Sequence, residues 1–268
     1  METGKANRIQ SETFNIDLSE EYNISIQIGL KSLSYYIINN NTRDIEHVKK
    51  LQIHNNLANI INTDDILKLD FLKSKIIFTN FPCTLIPKEL FLEKQSKELL
   101  ELTSDTYEVI QSDFIEQIDA YLVYSIPKDI SNTIFTFFPK AKQKAQQAIL
   151  IEQFSNINSN DSNAYLHISE NTLNITIFKT NKLIFNNSFS VESKEDLLYF
   201  TLFTFEQLKI DPEKINVRLY GDILYGDQNY KLLYEYIREI KFGEKPGDLN
   251  ISGKLKELKG HQLYGLFN

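Results

Sequence analysis

The sequence predicts an α/β protein made of two similar halves. Three observations support this fold class: a pair of β-hairpins, one offset that superimposes several elements, and a helix at the same place in each half. Residues 22–40 and 164–181 each contain two runs rich in β-branched and aromatic residues around a short turn. In the first, Ile24, Ile26 and Ile28 alternate as in a half-buried strand. Each stretch therefore predicts a β-hairpin.

The two hairpins superimpose when the chain is shifted by 140 positions, which places Ile28 on Ile168 and Leu33 on Leu173. Two further pairs follow the same shift: predicted strands at 75–81 and 215–221, and helical stretches at 56–69 and 194–209. An offset that several elements share indicates an internal duplication.

One more strand precedes the helix in each half, at 47–54 in the first and 183–191 in the second. Each half therefore has the order strand, strand, strand, helix, strand. Three antiparallel strands followed by a helical crossover predict a mixed sheet with the helix packed on one face. The sequence thus predicts two such sheets.

The helix of the second half carries signals at both ends. Ser193 is a suitable N-cap, and Glu195 and Asp196 place negative charge in the first turn. Asp211 and Pro212 end it, because proline disfavours the helical conformation in the residue before it.

The boundaries follow from composition. Residues 156–163, rich in asparagine and serine, predict a linker. The first half then covers 1–156 and the second 164–268. Additional material at 84–155 enlarges the first half and begins with a predicted helix at 88–102.

The C-terminal part has a predicted helix at 231–240 and then a glycine-rich stretch that we expect to be irregular. The last apolar side chains of this stretch are Leu263, Tyr264, Leu266 and Phe267. They predict that the tail packs on the body of the protein or on a partner.

Charge and cysteine content limit the function. A formal net charge of −7 repels a phosphate backbone, so we expect no nucleic-acid partner. The basic residues Lys254, Lys256, Lys259 and His261 are interpreted as a solvated tail. A single cysteine, Cys83, excludes an intramolecular disulfide, and no apolar run reaches the roughly 20 residues of a membrane span. We expect a cytoplasmic protein.

Common enzyme motifs, including the P-loop, G-x-G-x-x-G, H-E-x-x-H and G-x-S-x-G, are absent from the sequence. His47 and His54 lie on opposite faces of a predicted strand, too far apart for one metal ion. Asp64 and Asp65 are interpreted as a helix start. The sequence therefore predicts no metal site.

Three further side chains could carry chemistry. His167 and Glu170 could form an acid–base pair, although a strand histidine at the sheet surface explains the same pattern. Cys83 follows a predicted strand without a nearby histidine and is interpreted as a small buried side chain. No catalytic residue is predicted.

The element order resembles the duplicated ribonuclease-H-like core of actin-like ATPases, which include sugar kinases, chaperones and bacterial cell-division and pilus-assembly proteins. The chain also resembles an uncharacterised bacterial family known only as a domain of unknown function. The resemblance covers nearly the whole chain. It implies two ribonuclease-H-like halves with actin-like ATPase architecture.

The resemblance also indicates where nucleotide chemistry would lie. The family has an Asp-x-Gly in its first hairpin, where this chain has Gln27 and Gly29. The second hairpin reads HISENT and has no glycine. A family strand that ends in paired glycines corresponds to the strand before Gly221 and Asp222. We interpret Gly221 as a turn residue.

These replacements predict a non-catalytic actin-like binding or scaffold protein, a pseudo-ATPase that acts through protein–protein interaction or self-association without a cofactor. The alternative is a divergent ATP-binding or ATP-hydrolysing protein, in which Gly29, Gly221 and Asp222 bind ATP and magnesium in the cleft between the halves. A small-molecule kinase is a third possibility. The additional material at 84–155 is the predicted partner surface.

Overall fold

The computed structural model describes residues 7–10, 14–54, 56–158, 161–247, 249–251 and 253–266. The chain divides into two compact units. The first contains the described residues up to Ile149 together with 247–258, and the second contains 150–246 and 259–266. The predicted halves, 1–156 and 164–268, stay a prediction.

The first unit contains these strands and helices, in chain order: β1 (Asn7–Gln10), β2 (Tyr22–Ile28), β3 (Ser32–Asn39), β4 (Ile45–Gln52), α1 (Leu57–Thr63), β5 (Lys73–Phe78), β6 (Cys83–Pro87), α2 (Ser96–Glu101), β7 (Val109–Ile115), β8 (Ala120–Ile126), α3 (Lys128–Phe137) and β9 (Lys142–Ala145). Helix α4 (Gln146–Ile157) contains the boundary between the units.

The second unit continues with the following elements: β10 (Asn163–Ser169), β11 (Thr172–Lys179), β12 (Lys182–Ser190), α5 (Lys194–Gln207), β13 (Asn216–Gly221), α6 (Gln228–Tyr236) and β14 (Glu239–Phe242). Among the described helices of the chain, none is long and apolar enough to cross a membrane.

Each unit is built on one mixed sheet. The first sheet has the order β1-β4-β3-β2-β5-β9 and the second β12-β11-β10-β13-β14. In both, the first, fourth and fifth strands of the repeat are parallel and the first three form an antiparallel meander. Without β1, the two sheets have the same strand order. This confirms the predicted fold class and the internal duplication.

The strand registers repeat as well. In the first sheet Ile28 on β2 lies opposite Phe78 on β5, and in the second sheet Ile168 on β10 lies opposite Gly221 on β13. The pairing of the second and third strands slips after Ile37 in one unit and after Ile177 in the other, which are equivalent under the 140-residue shift. Even the irregularity of the sheet is therefore duplicated.

The alternating apolar residues of the hairpins form the cores. Ile24, Ile26 and Ile28 are buried in the first unit, and Ile175 and Ile177 in the second. Burial of such side chains stabilises a fold by roughly 1.5–3 kcal/mol each. The predicted apolar residues are therefore confirmed in the cores, whereas β11 is buried at every position from Leu173 to Phe178 and is not the half-buried strand that the alternation predicted.

Helix α5 begins as predicted. The Ser193 hydroxyl accepts a hydrogen bond from the Asp196 N–H at 3.1 Å, and the Asp196 carboxylate accepts one from the Ser193 N–H at 3.0 Å. This reciprocal capping box satisfies two N–H groups that a helix start otherwise leaves free. The helix ends at Gln207, before Asp211 and Pro212.

Several elements differ from the prediction. The predicted helix 88–102 is two short 3-10 helices, Lys88–Leu90 and Glu93–Gln95, followed by α2. The predicted helix 231–240 ends at Tyr236, and β14 follows it. Parallel pairing with β13 gives β14 its conformation, and this partner lies about twenty residues away in sequence.

The additional material of the first unit is also smaller than predicted. Strands β6, β8 and β7 form a separate three-stranded sheet. Strand β9, which follows α3, instead belongs to the first main sheet, just as β14, which follows α6, belongs to the second. The insertion is therefore residues 83–126 rather than 84–155. Its sheet packs Ile86 and Val123 against Leu100 of α2.

The C-terminal tail packs on the second unit. After the 3-10 helix Gly260–Leu263, the Tyr264 ring lies 4.4 Å from the Tyr220 ring and 5.8 Å from the Phe154 ring, between centroids. Leu263, Tyr264 and Leu266 are buried, which confirms the predicted docking of the tail. The predicted contact of Phe267 lies outside the described residues.

Candidate functional site

The first and fourth strands of each sheet end side by side, at the edge where the family resemblance places nucleotide chemistry. In the first unit the Thr79 N–H donates to the Ile28 carbonyl at 2.9 Å. In the second unit the Asp222 N–H donates to the Ile168 carbonyl at 2.7 Å. Thr79 and Asp222 therefore occupy equivalent positions, and the two edges share this backbone hydrogen bond.

Gly29 lies at this edge of the first unit, in the turn between β2 and β3. Its N–H donates to the Ser32 carbonyl at 2.9 Å. A Cβ at this position would lie 3.1 Å from the Thr79 Oγ1 and 3.2 Å from the Ser32 Oγ. These hydroxyls would have to move by only a few tenths of an ångström to admit it. Gly29 thus gives room to two neighbouring hydroxyl groups.

Gln27 lies on β2, at the position where the resemblance to actin-like ATPases predicts an aspartate. It is half-buried, and its Oε1 accepts a hydrogen bond from the Ser34 hydroxyl at 3.0 Å across the hairpin. Residues 27–32 and 78–81, which form this edge, include no Asp or Glu. These residues can donate and accept hydrogen bonds. A carboxylate beside them, Asp113, accepts from the Ala145 N–H at 2.7 Å, at the end of β9 next to Phe78.

Gly221 lies at the equivalent edge of the second unit, in a different backbone conformation. Its φ of +80° is in the left-handed region that side chains rarely adopt. A Cβ built there would lie 2.0 Å from the carbonyl oxygen of Ile168. The close approach of β10 and β13 therefore requires glycine, which agrees with a structural role at the end of the strand.

Two exposed carboxylates, Asp222 and Glu170, lie at the second edge. Glu170 is in the β10–β11 turn with a φ of +53°. His167, by contrast, is 3 % exposed and lies opposite Asn174 in the hairpin. The structure thus places His167 in the sheet and Glu170 in the solvated turn. Their assignment as an acid–base pair stays a prediction.

The tail approaches this edge through His261. The His261 Nε2 lies 2.8 Å from the Ile223 carbonyl oxygen, one residue beyond Asp222. Burial lowers the pKa of His261, and the positive charge of Lys259 lowers it further, while the Ile223 carbonyl and the Asp222 carboxylate oppose the shift. His261 is buried, whereas Lys256 and Lys259 of the same basic cluster are exposed. The tail is therefore only partly solvated.

A partly buried ion pair in the first unit was not foreseen from the sequence. The Lys49 Nζ lies 2.6 Å from the Asp64 carboxylate, which also accepts from the Tyr35 hydroxyl at 3.1 Å and from the Ile66 N–H at 3.0 Å. Burial alone would raise the pKa of Asp64, but these three donors outweigh it and hold the pKa below its usual value. The side chain is therefore a structural anion.

The helix start predicted at Asp64 and Asp65 is wrong in part. Helix α1 ends at Thr63, and Asp64 follows it as the C-terminal cap. The next 3-10 helix begins at Ile66, after Asp65, which is exposed. The apolar residues on both sides favoured one longer helix, whereas the buried carboxylate of Asp64 interrupts it.

The remaining candidate side chains are separated. His47 is buried on β4 and stacked on Tyr35 at 5.5 Å between ring centroids, and His54 lies exposed beyond the end of that strand. The Cys83 thiol contacts the Gln147 side chain, and burial raises its pKa to about 12. Within the described ranges, no three His, Cys, Asp or Glu side chains are grouped closely enough to hold a metal ion.

Two solved structures define the class of the fold. A Bacteroides thetaiotaomicron protein with an actin-like ATPase fold and unknown function matches with a TM-score of 0.76 and 21% identity, over 86% of this chain and 94% of that chain. A PilM–PilN type IV pilus biogenesis complex matches with a TM-score of 0.58 and 11% identity, over 91% and 96%. This chain therefore has the actin-like ATPase fold, built from two ribonuclease-H-like units.

Residues 11–240 match the family described as "protein of unknown function (DUF3822)", and the chain belongs to that family. No match is found among curated proteins. The predicted resemblance to actin-like ATPases and to a family of unknown function is confirmed.

Proposed function

We propose that this chain is a non-catalytic binding or scaffold protein, which uses an actin-like fold to assemble with another protein and does not turn over ATP. The observation that carries the proposal is Gln27. It stands where the family has an aspartate, and its Oε1 accepts a hydrogen bond from Ser34 within the hairpin. A neutral amide in this position cannot supply the charge that organises a metal-bound nucleotide.

The chemistry of phosphoryl transfer supports this interpretation. Catalysis of that reaction depends on positioned charges and on cradles that hold the phosphates, with little covalent help from the protein. Residues 27–32 and 78–81 of the first edge contain no Asp or Glu, and the nearby Asp113 accepts from the Ala145 N–H. The second edge has two carboxylates, Asp222 and Glu170, but both are exposed. At residues 27–32, where the resemblance to actin-like ATPases predicts the first aspartate, there is therefore no carboxylate to organise ATP with magnesium.

The glycines of the two edges support the same conclusion. A phosphate cradle needs glycine so that backbone N–H groups can approach the ligand. The space beside Gly221 is instead filled by the Ile168 carbonyl, and the space beside Gly29 by the hydroxyls of Thr79 and Ser32. Both glycines thus serve contacts within the chain.

A partner-binding role has a second line of support. One protein of the same fold, PilM, is known in a complex with PilN. The insertion of the first unit, residues 83–126, exposes Leu90, Leu92 and Leu102. We propose this insertion as the surface for a protein partner, and we place its action in the bacterial cytoplasm, where the unpaired thiol of Cys83 would persist.

ATP turnover by the purified chain tests the proposal directly. We expect phosphate release at the rate of the protein-free control. If release is found, the two carboxylates at the second edge become the candidates, and Glu170→Gln or Asp222→Asn should abolish it while Glu206→Gln, an exposed change on α5, should not. Such a result would refute the proposal and favour the divergent ATP-hydrolysing alternative.

A further inference from the structure

Among the described residues, the outer edge of the second sheet has no covering strand, whereas that of the first sheet has one. In the first sheet β1 pairs antiparallel with β4 and takes the outermost position. In the second sheet β12 is outermost, and within the described part of the chain β11 is the only strand that pairs with it. The internal duplication therefore offers a direct comparison of a covered and an uncovered edge.

The strand registers define the equivalent residues. Ser32 pairs with Gln52 on β4, and its equivalent Thr172 pairs with Ser190 on β12. By the same count, residues 47–50, which β1 covers, correspond to residues 185–188. The first unit therefore shows that an antiparallel strand fits this part of the edge.

The sequence of β12 does not protect its edge. Natural proteins keep exposed edge strands apart with charged residues, proline or short length. Strand β12 has nine residues, no proline and one charged side chain, Lys182, at its first position. The equivalent strand β4 carries Glu46, Lys49 and Lys50. Strand β12 thus resembles a pairing strand more than a protected edge.

A series of aromatic rings extends this edge onto helix α5. Neighbouring ring centroids lie 4.7 Å apart for Phe189 and Phe200, 5.3 Å for Phe200 and Tyr199, and 5.7 Å for Tyr199 and Phe203. Phe189 lies on β12, whereas Tyr199 and Phe203 are 59% and 42% exposed. The rings therefore lead from the strand to an apolar surface on the helix.

The helix geometry places this surface on the β12 side. At about 100° per residue, Phe200, Phe203 and Tyr199 lie about 60°, 120° and 160° from the buried Leu197, all in the same direction around the axis. Since Phe200 stacks on Phe189, this direction leads toward β12. A polypeptide strand that pairs with β12 would therefore also contact Tyr199 and Phe203.

We propose that β12 pairs antiparallel with β12 of a second copy of this chain, centred on Asn187. In that register Lys182 faces Glu192 of the second copy, and both side chains are exposed. Phe185 faces Phe189, and Asn187 faces its own equivalent. The edge is therefore self-complementary in charge and in aromatic contact, as an isologous two-fold interface requires.

The two-fold axis of such a pair runs perpendicular to the sheet. Both copies of α5 then lie on the same face of one continuous sheet, and the exposed Tyr199 and Phe203 of each copy approach the other. The backbone groups of β12 give the pairing, in which the Ser188 N–H exchanges its 2.9 Å bond to the Asn187 Oδ1 for a bond to the second copy, and the aromatic surface adds apolar burial. A second copy thus pairs with the strand edge and also covers the aromatic surface.

This inference goes beyond the proposed function and does not depend on it. ATP turnover would refute the scaffold role and leave the pairing of β12 unaffected. A monomeric chain would refute the pairing and leave the absence of turnover unaffected. The two failures can therefore be distinguished.

Sedimentation of the full chain at micromolar concentrations tests the pairing. Two variants place charges of opposite sign at the two-fold axis. Asn187 is exposed, so Asn187→Lys and Asn187→Glu should each fold and place like charges opposite each other. We expect a dimer for the unchanged chain and at least about tenfold weaker dimerisation for either variant. An equimolar mixture of the two variants should recover the dimer, because opposite charges then meet.

Asn132→Lys, the same change at an exposed residue of α3, is the matched control and should leave the dimer unchanged. As a second test, Tyr199→Ser combined with Phe203→Ser should weaken dimerisation without changing β12. A monomeric unchanged chain at about 100 µM would overturn the proposal. So would charged Asn187 variants that dimerise like the unchanged chain, or a mixture that fails to recover the dimer.

Discussion

The two units share the same strand order and the same backbone hydrogen bond at the carboxyl edge, but they carry different side chains there. At each carboxyl edge the N–H after the fourth strand donates to a carbonyl at the end of the first strand, from Thr79 to Ile28 in one unit and from Asp222 to Ile168, the next-to-last residue of β10, in the other. The glycine, however, lies on the hairpin in the first unit and on the fourth strand in the second. The duplicated hydrogen bonds therefore define the fold, whereas the side chains at the edge differ between the units.

The third strands differ in the same way. Lys49 on β4 pairs with Asp64 inside the first unit, and its equivalent on β12 is the exposed Asn187. One unit thus stabilises its third strand by a partly buried ion pair and a covering strand. The other leaves a neutral edge, which is the surface that we assign to a second copy.

The largest expected effect comes from Gly221→Ala. The new methyl group would meet the Ile168 carbonyl and the residue would keep a left-handed φ, so we expect a loss of about 3 kcal/mol or more in the free energy of unfolding. Gly226→Ala is the matched control, because its φ of +79° is the same and nothing lies within 4 Å of the added atom. It should cost only about 1 kcal/mol. Equal losses in urea unfolding would show that the strand contact does not require glycine.

Next in size is Asp64→Asn, which removes one partner of the partly buried ion pair. Because Lys49 stays partly solvated, we expect a loss of about 2 kcal/mol, below the usual range for fully buried pairs. Asp65→Asn is the control, since that carboxylate is 87% exposed and its ion pair with Lys68 should contribute less than about 0.5 kcal/mol.

The pH dependence sharpens this test. A folded pKa below the ordinary 3.8 means that the unfolded chain binds the proton of Asp64 more tightly. The stabilisation is therefore complete above about pH 5 and is lost as the pH falls through the lowered pKa. The difference between the unchanged chain and Asp64→Asn should shrink in acid. A difference that stays constant into acid would contradict the assignment of Asp64 as a structural anion.

A smaller effect is expected from His261→Gln in the tail. The lowered pKa of His261 means that protonation opposes docking, so the tail is stable above the ordinary value of 6.5 and loses stability as the pH falls through the lower folded pKa. The neutral glutamine removes this contribution, of about 1 kcal/mol or less. The unfolding midpoint should therefore fall less between about pH 7.5 and about pH 5 in the variant. An unchanged pH dependence would exclude His261 as its source.

The smallest effect is expected from Gly29→Ala, which creates only tight contacts with two hydroxyl groups. We expect a loss below about 1 kcal/mol. In a Thr79→Ala background this loss should decrease further, because one of the two hydroxyls is gone. A loss as large as that of Gly221→Ala would show that the two edges do not differ as described.

Local patterns were sufficient for the duplicated core. The apolar runs around Ile26 and Ile175 and the capping residues at Ser193 act within short stretches of chain, and the strands and the helix start that they predicted were confirmed. The duplication was confirmed as well, although the offset of 140 changes between elements: Gln52 and Ser190 are 138 positions apart, and Phe78 and Gly221 are 143 apart. Strands β1 and β14 were missed because they are four residues long and depend on partners distant in sequence. Pairing, not propensity, gives such segments their conformation.

In the candidate site, too, local patterns predicted some features, whereas contacts between distant residues were missed. The sequence placed Gly221 at the end of a strand, because this follows from residue type, whereas the role of Gln27 comes from the family resemblance and stays a prediction. It did not indicate that the Ile168 carbonyl fills the space at Gly221, nor that Asp64 accepts from Lys49 and Tyr35. These contacts join residues about fifteen to fifty positions apart, which no local pattern relates.

Thermal unfolding of the chain with and without ATP or ADP and magnesium tests the central claim, that this actin-like fold works without nucleotide. Ligand at about 100 times its dissociation constant stabilises a protein by about 2.7 kcal/mol, or roughly 5 °C or more for a chain of this size. We predict no shift of the unfolding midpoint with millimolar nucleotide. A reproducible rise of that size would contradict the account and return Gly29, Gly221 and Asp222 to the position of nucleotide-binding residues.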